Sequence, residues 1–251
     1  MPAVWILSQF ILRLSFGMAL GMALVSPRQV TSGYYRNHLY VLLGLNVLAA
    51  LAVFARGDSP AWPLAAAIFS YAGAVLWLYE KPRAGIVVLA LVSAASLGGA
   101  WATTDWSTGG GVTAMLVRAL DPLTSGLVLG FTMAAMFLGH WYLNTPTMAI
   151  RPLERLIVLL GGALCLRALV EVAALALDPG AAIGGTEPLL FLALRWLSGI
   201  VFALVLVVMA YRTLKIPNTQ SATGILYVCV IATFLGELMS LLLSVSAMSG
   251  V

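Results

Sequence analysis

Charge is what this sequence has least of. Asp, Glu, Lys and Arg make up 9% of 251 residues. A soluble domain carries roughly a quarter, so there is too little here to cover a water-facing surface. Histidine is almost missing, with only His38 and His140, and so is cysteine, with Cys165 and Cys229. Two cysteines inside apolar stretches and without CxxC spacing read as small buried apolar side chains, with a metal or redox pair as the alternative. No GxGxxG, Walker loop, HExxH or DDxxD-type cluster occurs. Nucleotide binding, zinc proteolysis and prenyl-diphosphate chemistry therefore have no support. Long polar loops are also absent, which leaves no room for a soluble domain.

What is present is apolar sequence: 62% hydrophobic residues and a mean hydropathy of +1.03. A helix crosses the hydrocarbon core with about 20 apolar residues. Eight such stretches stand out, at 4–25, 37–55, 62–79, 85–102, 122–144, 156–177, 188–211 and 221–247. They are continuously apolar, whereas barrel strands alternate. The first lacks a basic leader and is long enough to span, so it reads as a helix rather than a cleaved signal. The expected fold is all-α: a polytopic integral membrane protein with eight helices in one bundle, a single transmembrane domain over 1–251.

Basic residues fall in alternate loops: Arg28 and Arg36, Lys81 and Arg83, Arg151 and Arg155, Arg212 and Lys215. The intervening loops hold Arg56 and Arg118 beside Asp58, Asp105, Asp121, Asp178 and Glu187. Cytoplasmic loops attract Lys and Arg. Both termini are therefore expected outside, with the bacterial inner membrane as the location. The same pattern accounts for the net charge of +4 without nucleic acid as a partner. The longest loop, 103–121, contains Gly109, Gly110 and Gly111, and its segment 112–120 reads as a short amphipathic helix on the outer interface. Pro122 and the other loop prolines are expected to flank helices. Tyr34, Tyr35, Tyr40, Tyr79, Trp141, Tyr142 and Tyr211 read as the inner aromatic belt, and Trp5, Trp62, Trp101 and Trp106 as the outer one. No internal repeat is visible.

Two constellations carry chemistry. His38 lies roughly 5 Å and His140 roughly 7 Å inside the cytoplasmic boundary at 1.5 Å per residue. Two neutral imidazoles on facing helices ligate haem iron, so one haem b at His38 and His140 is a candidate. Arg36, Arg151 or Arg155 would serve its propionates, with Met133, Met136 and Phe137 along the ring. A quinone hydrogen-bonded to a histidine and lined by Trp141 and Tyr142 fits the same residues, as does an interfacial or structural role. Metal without haem lacks a third ligand, and a two-haem cytochrome needs four. On the fifth helix Gly126, Gly130, Met133, Phe137, His140 and Asn144 fall roughly on one face, which predicts that His140 points inward.

The second constellation is the set of charges inside the spans: Arg13, Arg167, Glu171, Arg195 and Glu237, three positive against two negative. Each costs at least about 2.5–3.5 kcal/mol to insert and so must face protein, water or a partner. Arg167 and Glu171 are spaced to pair on one helix. Arg195 is placed to share Glu171. Glu237 shares a stripe with Thr233, Ser240 and Ser244, and Gln9 shares a face with Arg13. Gly17 with Gly21, Gly126 with Gly130, and Gly98 with Gly99 are expected to allow close helix approach.

The sequence favours a membrane-embedded subunit of an electron-transfer complex, binding quinone or haem b near the cytoplasmic face. It would be embedded in lipid beside other membrane or peripheral subunits. No catalytic residue is assignable, and any catalysis would belong to those partners. A transporter of a small anionic or amphipathic solute, using Arg13, Arg167 and Glu237, is the alternative. A structural or assembly subunit is the third reading.

Overall fold

In a computed structural model, residues 2–106, 111–145, 148–177, 186–216 and 218–249 are described. Gly109, Gly110, Pro146, Asp178 and Pro217 lie outside them. The described residues form helices: α1 (Pro2–Leu24), α2 (Ser32–Ala55), α3 (Ala61–Leu78), α4 (Pro82–Ala102), α5 (Val112–Asn144), α6 (Arg151–Leu177), α7 (Thr186–Trp196), α8 (Ala203–Leu214) and α9 (Thr219–Ser249). A π-helical turn, Leu197–Phe202, joins α7 to α8 in one span. Eight helical segments are long and apolar enough to cross a membrane, and each coincides with an expected stretch. An even number of crossings puts the start of α1 and the end of α9 at the same end of the bundle, here the N-terminal end.

The helices divide into two sets of four spans with the same neighbour order. α1–α2, α2–α3, α3–α4 and α4–α1 pack to close one ring. α5–α6, α6–α8, α8–α9 and α9–α5 close the other. The sets meet chiefly where α1 packs on α5. A transmembrane interface gains little from apolar burial, because lipid is equally apolar, so close backbone approach matters more. Gly17 supplies it: a Cβ there would overlap the Gly126 carbonyl, and one on Gly130 would overlap the Gly17 backbone. Gly126 itself lies against the Arg13 carbonyl, where a Cβ would come within 2.8 Å. Gly21 fits against Phe131 and Ala134, and Gly98 and Gly99 against Trp62.

The fifth helix departs from expectation. Residues 112–120 are not a separate interfacial helix but the first turns of α5, and Pro122 lies inside that helix. A proline in a helix removes one hydrogen bond, and in lipid the freed backbone groups need other partners. Side chains supply donors around this turn. Trp101 Nε1 donates to the Ala119 carbonyl at 3.0 Å, and Thr124 Oγ1 to that of Leu120 at 2.8 Å. Continuing the helix carries Asp121 out of the expected loop and into the bundle.

Three tyrosines read as interfacial are core residues. Tyr34 and Tyr35 are fully buried and Tyr142 nearly so, because each hydroxyl finds an internal carbonyl. Tyr34 donates to Ala134 and Tyr35 to Val25, at 3.2 and 2.9 Å, and Tyr142 donates to Ala149. Tyr35 also stacks on Trp77, the ring centroids 3.9 Å apart. Of the two free cysteines, Cys229 is buried as expected, whereas Cys165 is exposed on the helix surface.

Replacing Gly17 with leucine should separate α1 from α5 and lower the thermal unfolding temperature in detergent sharply. Gly44 has open space around its α-carbon. Gly44→Ala should therefore be neutral or stabilising by up to about 1 kcal/mol from helix propensity.

Candidate functional site

The two histidines have separate surroundings. His38 is buried, its Nδ1 2.6 Å from the Tyr34 carbonyl. Its ring lies between Tyr34 and Phe137, with centroids 4.5 and 4.4 Å away, and Trp141 stands at 6.2 Å. His140 is exposed and its Nδ1 lies 3.1 Å from the Tyr227 hydroxyl on α9. The inward orientation expected of His140 is thus corrected. The glycines that face α1 end at Gly130, and ten further residues at 3.6 per turn carry His140 about 80° round the helix. Phe137 and Trp141 are the α5 side chains that face His38. Trp141 Nε1 donates to Thr31 Oγ1 at 2.9 Å. Arg151 and Arg155 line a separate small cavity of about 120 Å3 with Gln29. Among the described residues no group of three His, Cys, Asp or Glu is placed to hold a metal ion.

The intramembrane charges, by contrast, converge. Arg167 on α6 is 1% exposed and is the hub. Its Nε and Nη2 each donate to one oxygen of Glu237 at 2.9 Å, a two-point contact suited to a planar guanidinium. Nη2 also reaches Ser240 Oγ at 3.0 Å and pairs with Glu171 Oε1 at 2.9 Å. Nη1 donates to Asp121 Oδ1 at 2.6 Å and to Thr124 Oγ1 at 3.3 Å. The second Asp121 oxygen pairs with Arg13 Nη2 at 2.8 Å. Glu171 in turn pairs with Arg195. An ionic chain thus runs Arg13, Asp121, Arg167, Glu171, Arg195, with Glu237 held on its centre.

The balance is three arginines against three carboxylates, rather than the three against two read from the sequence. Asp121 is the missing member. In the sequence it falls at the end of the 103–121 loop, because Pro122 has the local signature of a helix start. Spacing and depth in the sequence point to the pairs Arg167–Glu171 and Arg195–Glu171 but not to Arg167–Glu237, because the rotation of one helix against another is not written in either sequence. Gln9 fixes Arg13 from the other side, accepting from Nε at 2.9 Å while its own amide donates to Ala100 O and Thr103 Oγ1.

A cavity of about 270 Å3 lies along this chain, reaching from Trp5 and Thr104 at the N-terminal end down to Arg13, Arg167 and Ser240. Its walls come from both four-span sets. Arg167 is saturated, but two other guanidinium groups are not. Among the described residues Arg13 Nη1 and Arg195 Nε are buried without a hydrogen-bond acceptor, and both Glu171 oxygens, although ion-paired, are buried without a hydrogen-bond donor. A buried donor left unmade costs about 1–3 kcal/mol, more when charged. Both arginines line the cavity, so an acceptor placed there recovers that cost. Two helix irregularities border it: Pro122 directly follows Asp121, and the π-turn begins two residues after Arg195. Such interruptions recur at functional sites. Gly199 of the π-turn meets Gly236 of α9 backbone to backbone, next to Glu237.

Arg167→Met leaves three carboxylates with reduced compensation and should destabilise the fold by at least about 3–5 kcal/mol in detergent melts. Arg167→Lys should recover little of this, since an ammonium cannot make the two-point contact with Glu237. Arg13→Gln should cost much less, because Asp121 keeps Arg167 as a partner.

No family model, curated protein or solved structure matches this chain.

Proposed function

We propose that this chain is a membrane transporter that binds a small solute bearing an acidic group, a carboxylate or phosphate, in the ionic cavity. The observation that carries this reading is the pair of buried, unsatisfied guanidinium donors, Arg13 Nη1 and Arg195 Nε, in the cavity wall. Intramembrane ionisable residues are costly and mark substrate, ion or proton paths, which makes them functional candidates. The cavity also lies between two four-span sets of like neighbour order. By analogy at the level of architecture, secondary transporters place their sites between repeats. The basic loops lie at the opposite end of the bundle, so the positive-inside rule turns the cavity towards the outside.

Net charge does not select the ligand here, because the arginines and carboxylates balance. Selection rests on directed donors, which favour an oxygen acceptor with two free faces. The electron-transfer reading, with quinone or haem b at His38 and His140, draws less support, since His38 is enclosed by Tyr34 and Phe137 whereas His140 is exposed beside Tyr227. A purely structural role for the ion chain is supported by Arg167, whose donors are all used, but not by Arg13 or Arg195.

The test uses purified protein in lipid nanodiscs and a panel of acetate, succinate, inorganic phosphate and glycerol phosphate. At one hundred times Kd a ligand should stabilise the fold by about 2.7 kcal/mol. The shift should vanish in Arg13→Gln, fall in Arg195→Gln and persist in His140→Ala. Uptake of the same compound into proteoliposomes should follow the same order. Absence of any shift, or a shift indifferent to both arginine variants, would overturn the proposal. A reduced-minus-oxidised absorption band lost in His38→Ala and His140→Ala would instead establish the electron-transfer reading.

A further inference from the structure

The two ends of the ionic chain leave different groups unmet. At the Arg13 end both Asp121 oxygens are engaged, one on Arg13 and the other on Arg167. What remains there is a lone donor, Arg13 Nη1. At the Arg195 end a donor and acceptors remain side by side. Among the described residues Arg195 Nε meets no acceptor, and neither Glu171 oxygen meets a hydrogen-bond donor, although Arg167 and Arg195 pair with it by charge. Arg13, Glu171 and Arg195 all line the one ionic cavity. Arg13 is 3% exposed and Glu171 1%, so bulk water does not complete them.

These ends belong to helices that are not neighbours. α1, which carries Arg13, packs on α2, α4, α5 and α9, whereas α7, which carries Arg195, packs chiefly on α9 and the π-turn. Asp121, Arg167 and Glu171 stand between the two arginines in the chain. A solute that meets both ends therefore needs two polar groups, and the Arg195 end restricts the second one. A carboxylate there would accept from Arg195 Nε but set its charge against the unbonded Glu171 oxygens. An ammonium would donate to Glu171, yet it has no lone pair for Arg195 Nε and would stand beside two guanidinium groups. A hydroxyl does both, donating its hydrogen and accepting through its oxygen. The wall carries further sites of this kind: Thr104 and Ser244 give their hydrogens to the Ala100 and Ser240 carbonyls and keep oxygen lone pairs free to accept.

From this asymmetry we propose that the solute is a hydroxylated acid, with its acidic group on Arg13 and a hydroxyl held between Glu171 and Arg195. The inference rests on the acidic-solute site proposed above and specifies the solute's other end.

The experiment measures affinities on the nanodisc-embedded protein for acids of three, four and six carbons. At each length the far end carries a methyl, hydroxyl, methoxy, carboxylate or ammonium group. Two hydrogen bonds to charged side chains should make the best-fitting hydroxy acid bind at least about tenfold more tightly than its methyl counterpart. The methoxy acid accepts but cannot donate to Glu171, so it should lose most of that gain. The double variant Glu171→Met/Arg195→Met removes one charge of each sign and leaves Arg167 its Asp121 and Glu237 partners. It should bring the hydroxy acid down to the affinity of the methyl compound. Arg13→Gln should abolish binding of every probe.

Arg13-dependent binding with no preference for hydroxyl at any length would overturn the hydroxyl end while leaving the acidic-group site standing. A hydroxyl preference that survives in the double variant, or is matched by the methoxy acid, would overturn it as well. Tighter binding of a diacid or an amino acid would assign the Arg195 end to a second carboxylate or to an ammonium instead. Failure of every probe would overturn both readings.

Discussion

A guanidinium carried to membrane depth must be surrounded by partners, and Arg167 is the residue around which this bundle is organised. Its donors reach Glu237, Asp121, Glu171, Ser240 and Thr124, drawn from α5, α6 and α9. Removing two opposite charges from water is repaid only with good geometry and further hydrogen bonds. Arg167 meets that condition by its two-point contact with Glu237 and its short bond to Asp121. The rotation of α5, α6 and α9 about their axes is consequently fixed by one side chain, and the apolar residues of those helices pack in the register it sets.

Close backbone contact does the corresponding work between the two sets of helices. Arg13 can reach Asp121 only if α1 and α5 approach nearly to touching, which the Gly17, Gly126 and Gly130 backbones permit. The same device recurs where Gly199 meets Gly236 beside Arg195 and Glu237. In a medium where apolar burial separates nothing from lipid, small residues and ion pairs together give these interfaces their specificity.

How much of this is written in the sequence follows from the range of the signals. Hydropathy is local, and all eight spans are legible from it. Helical spacing is also local, and it yields Arg167 with Glu171 and Gln9 with Arg13. Asp121 was hidden by a sound local rule, that proline ends helices, which fails when Trp101, Thr124 and Arg167 provide donors to the interrupted turn. Tyr34, Tyr35 and Tyr142 have the composition of an interfacial belt, and only the tertiary carbonyls that receive their hydroxyls place them in the core. His140 shows the limit of a face drawn over fourteen residues: a few tens of degrees of drift move a side chain from an interface to the surface. The pairing of Arg167 with Glu237 depends on how two distant helices are turned, which no local pattern encodes.

The distribution of charge between the two sets also determines what can change when a ligand arrives. Asp121, Arg167, Glu171, Arg195 and Glu237 all belong to the second set; Arg13 comes from the first. Asp121 is shared, one oxygen on Arg13 and the other on Arg167. An acidic group that took over Arg13 would therefore not strand a carboxylate in a low dielectric, since Arg167 still neutralises it. Arg13 can exchange partners at a cost far below that of breaking any pair around Arg167. The weakest electrostatic step in the chain thus falls at the boundary between the two sets, next to the cavity. Pro122 and the π-turn supply helix interruptions in the second set at the same depth. A bundle built this way keeps a rigid ionic centre while allowing one charged contact across its seam to respond to what occupies the cavity.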